Sequence, residues 1–298
     1  MKKITNAIIL LVVIMTMTAC SSTTSAYKYA DEWDVDAIAE TVNAMDYVKA
    51  YAKADASTNY DGLLDTVKNA IKTTIPHSEY LDWEKFGKLQ NVYELDISES
   101  DVSTMSAEEV VIFSSYIAFY DEDSNNVYIL PQFYVTSDAQ KAYCLIHEVI
   151  HSLVPNRNDA DDSMIVEGLV DWLTIQICDE LGLDVIASYQ ESVLCVRMLA
   201  DIYGEEEVIQ AICENRIIDL IDGSTEAGMA EKLNISLYIA HGNGNATIKD
   251  VKEASNVEMD IISHAAKHEG VNINDWLDAI AQIYESNGIK LDINYFKK

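Results

Sequence analysis

The sequence predicts an α+β protein that is mostly helical, with a small β-sheet in its N-terminal half. Hydrophobic residues make up 49% and charged residues 23% of the 298 positions, as in ordinary globular proteins. Only 3 Pro and 11 Gly interrupt the chain, which favours long helices. Apolar residues recur at helical spacing along most of the sequence, and a single region is rich in β-forming residues. These observations exclude collagen-like and linker-rich architectures.

The N-terminus has the pattern of an export signal. Two lysines precede a short apolar run, residues 7–15, which is too short to span a bilayer but fits the apolar core of a signal peptide. The small residues before Cys20 resemble a bacterial lipoprotein signal. That resemblance implies removal of residues 1–19, acylation of Cys20 and anchoring at the extracytoplasmic face of the cell membrane, with residues 20–26 as a flexible spacer. A plain secretory signal is the alternative.

Two helices are predicted in the region that follows. Apolar residues at helical spacing predict the first helix over residues 33–54 and the second over residues 60–74. Residues 77–105 carry mixed signals, and we expect short or irregular elements there.

A β-hairpin is predicted next. Residues 109–120 and 127–130 are rich in Val, Ile, Phe and Tyr, which favour strands. A polar segment with two asparagines, residues 121–126, separates them and is typical of a turn.

The rest of the chain is predicted to be helical. One helix begins at Thr136 or Ser137 and ends before Pro155, and the next covers residues 163–181. Further helices are expected at 184–203, 205–221, 225–240, 247–268 and 273–286.

These elements predict one domain, residues 27–298, with two lobes. The N-terminal α+β lobe covers about 27–155, and the helical C-terminal lobe covers about 156–298.

The chain is strongly acidic, with 20 Lys+Arg against 50 Asp+Glu and a formal net charge of −30. Nucleic acids and anionic membrane surfaces need a basic footprint, so the charge argues against both as partners. Acidity of this kind favours solubility, and a preference for cationic peptides is the alternative.

Four cysteines follow Cys20, and all lie at apolar positions of predicted helices, where a thiol packs as a small hydrophobic group. We expect buried thiols, although an exported chain also permits disulfides. They are Cys144, Cys178, Cys195 and Cys213.

The sequence His147-Glu148-Val149-Ile150-His151 is the main chemical signal. Residues i and i+4 project from the same face of a helix, so the two imidazoles can bind one metal ion. Zinc accepts such ligands, and a catalytic zinc has three protein ligands and one open position. Glu148 lies beside this face and can reach a water molecule. The alternative is a hydrogen-bonded histidine pair in a core helix.

Glu167 and Asp171 on the next predicted helix have the same spacing. An HExxH sequence followed by ExxxD resembles the gluzincins, the thermolysin-like zinc metallopeptidases. The resemblance implies that His147, His151 and Glu167 bind zinc, that Glu148 is the general base, and that Asp171 holds the outer nitrogen of the first histidine. Solvated helix acids are the alternative for Glu167 and Asp171.

The resemblance also implies a zincin-like two-lobe fold and zinc-dependent hydrolysis of peptide bonds. The expected substrate is a peptide or protein. Residues 127–130 are expected to form the edge strand that pairs with it, and a strand of the sheet without that role is the alternative. An oxyanion donor is expected from the C-terminal lobe, with His241 and Tyr238 as the main candidates and Tyr189 and Tyr203 as others. Solvent-exposed residues without a catalytic role are the alternative for His241 and Tyr238. Two other functions stay open: a surface-binding lipoprotein with a structural or vestigial zinc site, and a zinc hydrolase of non-peptide amides.

Overall fold

A computed structural model shows the fold of the protein. It describes residues 61–75, 79–89, 91–95, 97, 103–105, 116–154, 163–241 and 247–286. The predicted signal peptide, Cys20, the spacer and the helix predicted over residues 33–54 lie outside the described residues.

The described part is mostly helical with a small three-stranded sheet, which confirms the predicted composition of the fold. The strands are β1 (Val92–Glu94), β2 (Ala118–Asp121) and β3 (Asn126–Ile129), and a 3-10 helix follows at Pro131–Val135. The helices are α1 (Asp61–Thr74), α2 (Trp83–Lys88), α3 (Asp138–His151), α4 (Ser163–Glu180), α5 (Gln190–Tyr203), α6 (Glu205–Cys213), α7 (Ile217–Ser224), α8 (Met229–Ala240), α9 (Ile248–Glu269) and α10 (Asn274–Ser286). Among these described helices, none is long and apolar enough to cross a membrane.

The predicted hairpin is confirmed for its described part. β2 and β3 are antiparallel, with Ala118 opposite Ile129, and Asn125 in the turn has φ 51°, a conformation that asparagine tolerates. β1 pairs with the other side of β3 in parallel, so the order is β1-β3-β2.

The prediction that residues 127–130 form an open edge is therefore wrong. β3 is central because a strand of three residues, β1, covers its outer side. A strand of this length shows too little alternation of apolar and polar residues to be recognised, so β1 was not predicted within residues 77–105. Of the described strands, β2 forms the edge beside α3.

Helix α3 begins where the sequence predicted. Ser137 is its N-cap, and its Oγ accepts a hydrogen bond from the backbone N–H of Gln140 at 3.2 Å. The apolar face of α3, including Ile146 and Ile150, is fully buried against α1, α4 and β2. This packing places His147 in the interior with 6% of its surface exposed.

Helix α4 lies in the centre of the helical part and packs against α3, α5 and α8. Its N-terminus is buried, and the backbone N–H of Met164 donates a hydrogen bond to the side-chain oxygen of Asn234 on α8 at 2.7 Å. Such a contact satisfies a backbone donor that the helix itself leaves without a partner. Gly182, with φ 67°, follows the helix.

Three predicted helices differ from the structure. The helix predicted over 225–240 begins only at Met229, after Gly228, whose φ is 84°. The single helix predicted over 205–221 is wrong, because α6 ends before Asn215, whose φ is 59°. The backbone N–H of Arg216 then donates to the Ala211 carbonyl at 2.7 Å, as at many helix C-termini. The helix predicted over 184–203 begins only at Gln190, because the two preceding residues donate their backbone N–H groups to side chains of the site.

The prediction of buried thiols is confirmed. Each of the four cysteines after Cys20 is buried and is a thiol rather than half of a disulfide. Burial raises the pKa of Cys144 and the pKa of Cys178 to about 12, so both thiols stay protonated near neutral pH.

Candidate metal centre

Three side chains predicted as metal ligands converge between α3 and α4. The Nε2 atoms of His147 and His151 lie 3.2 Å apart. The Oε2 atom of Glu167 lies 3.1 Å from Nε2 of His147 and 3.5 Å from Nε2 of His151. The helical spacing of the two histidines and the packing of α4 on α3 together bring the three atoms to one point.

The triangle has the size of a tetrahedral metal site. Zinc binds imidazole nitrogen and carboxylate oxygen at about 2.0–2.2 Å, so two ligand atoms at a tetrahedral angle lie about 3.3–3.6 Å apart. The observed sides of 3.1–3.5 Å are close to this spacing. Among the described residues, these three side chains form the one group of three or more histidine, cysteine, aspartate or glutamate side chains that could hold a metal ion.

The Asp171 carboxylate contacts Nδ1 of His147, the ring nitrogen that is not part of the triangle. Nδ1 of His147 lies 2.9 Å from Oδ1 of Asp171, which is fully buried. A carboxylate here keeps the ring proton on Nδ1 and leaves the Nε2 lone pair directed at the triangle. The structure thus brings Asp171 against Nδ1 of His147.

Asp171 has two further donors that the sequence analysis missed. The Tyr143 hydroxyl donates to Oδ1, and the backbone N–H of Tyr189 donates to Oδ2 at 2.8 Å. Tyr143 lies four residues before His147 on α3, so its helical spacing was the signal that could have revealed it. Burial raises the pKa of Tyr143, and so does the charge of Asp171. The phenol therefore stays protonated as a donor.

Glu148 lies beside the triangle without belonging to it. Burial raises the pKa of this carboxyl, and the nearby His147 and His151 oppose the shift. The backbone N–H of Tyr120 on β2 donates to the Glu148 carboxylate. The Tyr120 ring also lies parallel to the His151 ring, with centroids 6.2 Å apart. Strand β2 therefore borders the site on the side of Glu148.

The predicted oxyanion donors separate into two groups. The Tyr189 ring stacks on His147 with centroids 5.8 Å apart, and His241 stacks on Tyr189 at 4.6 Å. The charge of Glu167, followed by burial, raises the pKa of Tyr189 well above its usual value. Tyr203, by contrast, forms a hydrogen bond with Ser224 of α7. The structure thus brings Tyr189 and His241 to the site and gives the Tyr203 hydroxyl a partner on a different helix.

Tyr238 is partly buried against the core. It neighbours Tyr116, a residue that the sequence analysis missed. Burial raises the pKa of Tyr116, and the neighbouring Tyr238 and Glu167 raise it further. Tyr116 precedes β2 in a β-rich segment, where nothing in the pattern marked it as a site residue.

Gly168 allows α4 and α5 to approach closely beside Glu167. A Cβ atom at this position would lie 2.7 Å from the carbonyl carbon of Ser192, closer still to its oxygen, and 2.9 Å from a Val196 methyl group. Backbone atoms cannot move away without shifting α5, so this position requires glycine.

We expect Gly168→Ala to lower the free energy of unfolding by about 1–3 kcal/mol, the usual cost of overpacking. Urea denaturation of the two proteins measures this difference. The matched control is Gly223→Ala in α7, where nothing lies within 4 Å of the added Cβ and helix propensity favours alanine by about 1 kcal/mol. Equal stability of Gly168→Ala and the parent would contradict the close approach.

No family model, curated protein or solved structure matches this chain. The fold and the site define a mostly helical protein with a small sheet, in which two histidines and one glutamate can hold a metal ion.

Proposed function

We propose that this protein is a zinc-dependent peptidase of the gluzincin type with a zincin-like two-lobe fold. The observation that carries the proposal is the triangle of His147, His151 and Glu167 with Glu148 beside it. Two imidazoles and one carboxylate form a ligand set that catalytic zinc uses in proteins.

The composition of the site favours catalysis over a structural role. A structural zinc site has four protein ligands, whereas a catalytic site keeps one position open. Among the described residues the group has three side chains, and a further nearby acid, Glu148, accepts a hydrogen bond from the Tyr120 amide instead. A purely structural site would have no use for Glu148.

A bound zinc ion would supply Lewis-acid chemistry by polarising the substrate carbonyl and lowering the pKa of water. Glu148 would take a proton from the attacking water and then deliver it to the leaving amine. Its burial supports this role, because a raised pKa brings a carboxylate closer to the pH at which a base is most effective.

Tyr189 is the oxyanion donor that we favour. Its ring stacks on His147, and the charge of Glu167, followed by burial, raises the pKa of its phenol, so the hydroxyl stays protonated. A protonated phenol at this position would donate to the developing negative charge. His241, stacked on Tyr189, would support the ring or donate itself, and Tyr238 is a further candidate.

The outer edge of β2 is the proposed binding site for an extended substrate. The backbone N–H of Leu130 donates to the Ile117 carbonyl at 3.0 Å. Because hydrogen-bonded pairs alternate in an antiparallel ladder, the backbone groups of Ala118 and Tyr120 face away from β3. The N–H of Tyr120 reaches Glu148, so a peptide added at this edge would pass the general base.

We also propose that acylated Cys20 anchors the protein at the extracytoplasmic face of the cell membrane. The support for this location is the lipoprotein-like signal that precedes Cys20. The peptidase would then act on peptides or proteins outside the cytoplasm.

Metal analysis combined with a peptide-library assay tests the function. Elemental mass spectrometry should find about one zinc per chain. Hydrolysis of library peptides should stop with 1,10-phenanthroline and return when zinc is added. Zinc without hydrolysis of any peptide would favour a binding lipoprotein or a hydrolase of other amides. A protein that binds no zinc after reconstitution would contradict the proposal.

A further inference from the structure

Tyr143 and Asp171 form a buried polar pair that contacts the site without supplying a metal ligand. Tyr143 on α3 is 1% exposed, and Asp171 on α4 is fully buried. The Tyr143 hydroxyl donates to Oδ1 of Asp171, the same oxygen that lies 2.9 Å from Nδ1 of His147. The phenol and the imidazole therefore share one carboxylate oxygen.

The same pair holds the segment between α4 and α5. The backbone N–H of Ser188 donates to the Tyr143 hydroxyl at 2.7 Å, and the next backbone N–H, of Tyr189, donates to Oδ2 of Asp171 at 2.8 Å. These two bonds end just where α5 begins. They fix the position of Tyr189, whose ring stacks on His147.

We propose that the Tyr143 hydroxyl is a positioning group for the metal centre. It orients the Asp171 carboxylate toward His147 and, through Ser188, holds the segment that carries Tyr189. The inference rests on the proposed zinc site and deepens it, because it assigns a role in zinc binding to a residue that touches no metal.

Packing alone does not account for a tyrosine at this position. A phenylalanine would fill the same buried space, and a buried hydroxyl loses its hydration unless it finds partners. Here the hydroxyl has two partners, one acceptor and one donor. Tyr143→Phe would remove a donor from Asp171 and leave the Ser188 N–H without its acceptor.

The test compares Tyr143→Phe with Tyr203→Phe in the full chain. Tyr203 is a matched control, since its hydroxyl is also hydrogen-bonded but to Ser224 of α7. The zinc dissociation constant is measured by competition with a chelating dye, and the thermal unfolding of the metal-free proteins is measured in parallel. We expect zinc binding to weaken by about 10–100-fold in Tyr143→Phe, the usual effect of losing an outer hydrogen-bond partner, and to stay unchanged in Tyr203→Phe.

A merely structural hydroxyl would lower the unfolding temperature and leave the zinc dissociation constant unchanged, which would overturn the proposal. A double-mutant cycle with Asp171→Asn provides the second comparison. If Tyr143 acts through Asp171, Tyr143→Phe should weaken zinc binding less in the Asp171→Asn variant than in the parent. Equal weakening in both backgrounds would show that Tyr143 does not act through Asp171. If Asp171→Asn fails to fold, the comparison with Tyr203→Phe decides alone.

These outcomes are distinct from failure of the proposed function. A parent that binds zinc but hydrolyses no peptide would contradict the peptidase, and the zinc affinities would still test Tyr143. A parent that binds no zinc would overturn the metal centre and the role of Tyr143 together.

Discussion

Glu148→Gln is expected to lower kcat/KM for peptide hydrolysis by about 10²–10⁴, the contribution of a positioned general base. Glutamine has the size of glutamate and keeps an oxygen that can accept the Tyr120 N–H, but it cannot accept a proton from water. Because Glu148 lies outside the ligand triangle, the variant should still bind about one zinc per chain.

The measurement is kcat/KM on one peptide from the library, together with zinc content by elemental mass spectrometry. Glu180→Gln is the matched control, since Glu180 is an exposed residue at the end of α4. An unchanged rate in Glu148→Gln would remove the general base from the mechanism. Loss of both zinc and activity would instead show that Glu148 supports the metal site.

Glu167→Ala should weaken zinc binding by more than about 100-fold, because losing a direct ligand costs more than losing an outer partner of a ligand. The change leaves two imidazoles, whose Nε2 atoms lie 3.2 Å apart, without the oxygen that completes the triangle. It should also abolish peptide hydrolysis at micromolar zinc.

Chelator competition gives the dissociation constant, and thermal unfolding gives an independent check. A ligand that binds only the folded state raises its stability, so added zinc should raise the unfolding temperature of the parent more than that of Glu167→Ala. Glu180→Ala, on the exposed end of the same helix, should behave as the parent. Equal zinc affinity in Glu167→Ala would show that the third ligand is another residue.

Several features were missed by the sequence analysis because they depend on short or distant contacts. β1 has three residues, so it left no recognisable alternation, and the central position of β3 followed from it. The break at Asn215 depends on a single left-handed residue. The late start of α5 reflects the backbone N–H groups of Ser188 and Tyr189, which bond to the Tyr143 and Asp171 side chains.

The local chemistry of the site could be predicted from the residue order. The i, i+4 spacing of His147 and His151 and the N-cap at Ser137 involve residues at most four positions apart. Tertiary structure alone showed how α4 meets α3. That packing places Oε2 of Glu167 3.1 Å from Nε2 of His147 and Oδ1 of Asp171 2.9 Å from Nδ1. On the α5 side of α4, the missing side chain of Gly168 allows the two helices to approach closely. Such distances depend on how buried surfaces fit together, and helical periodicity carries no information about that fit.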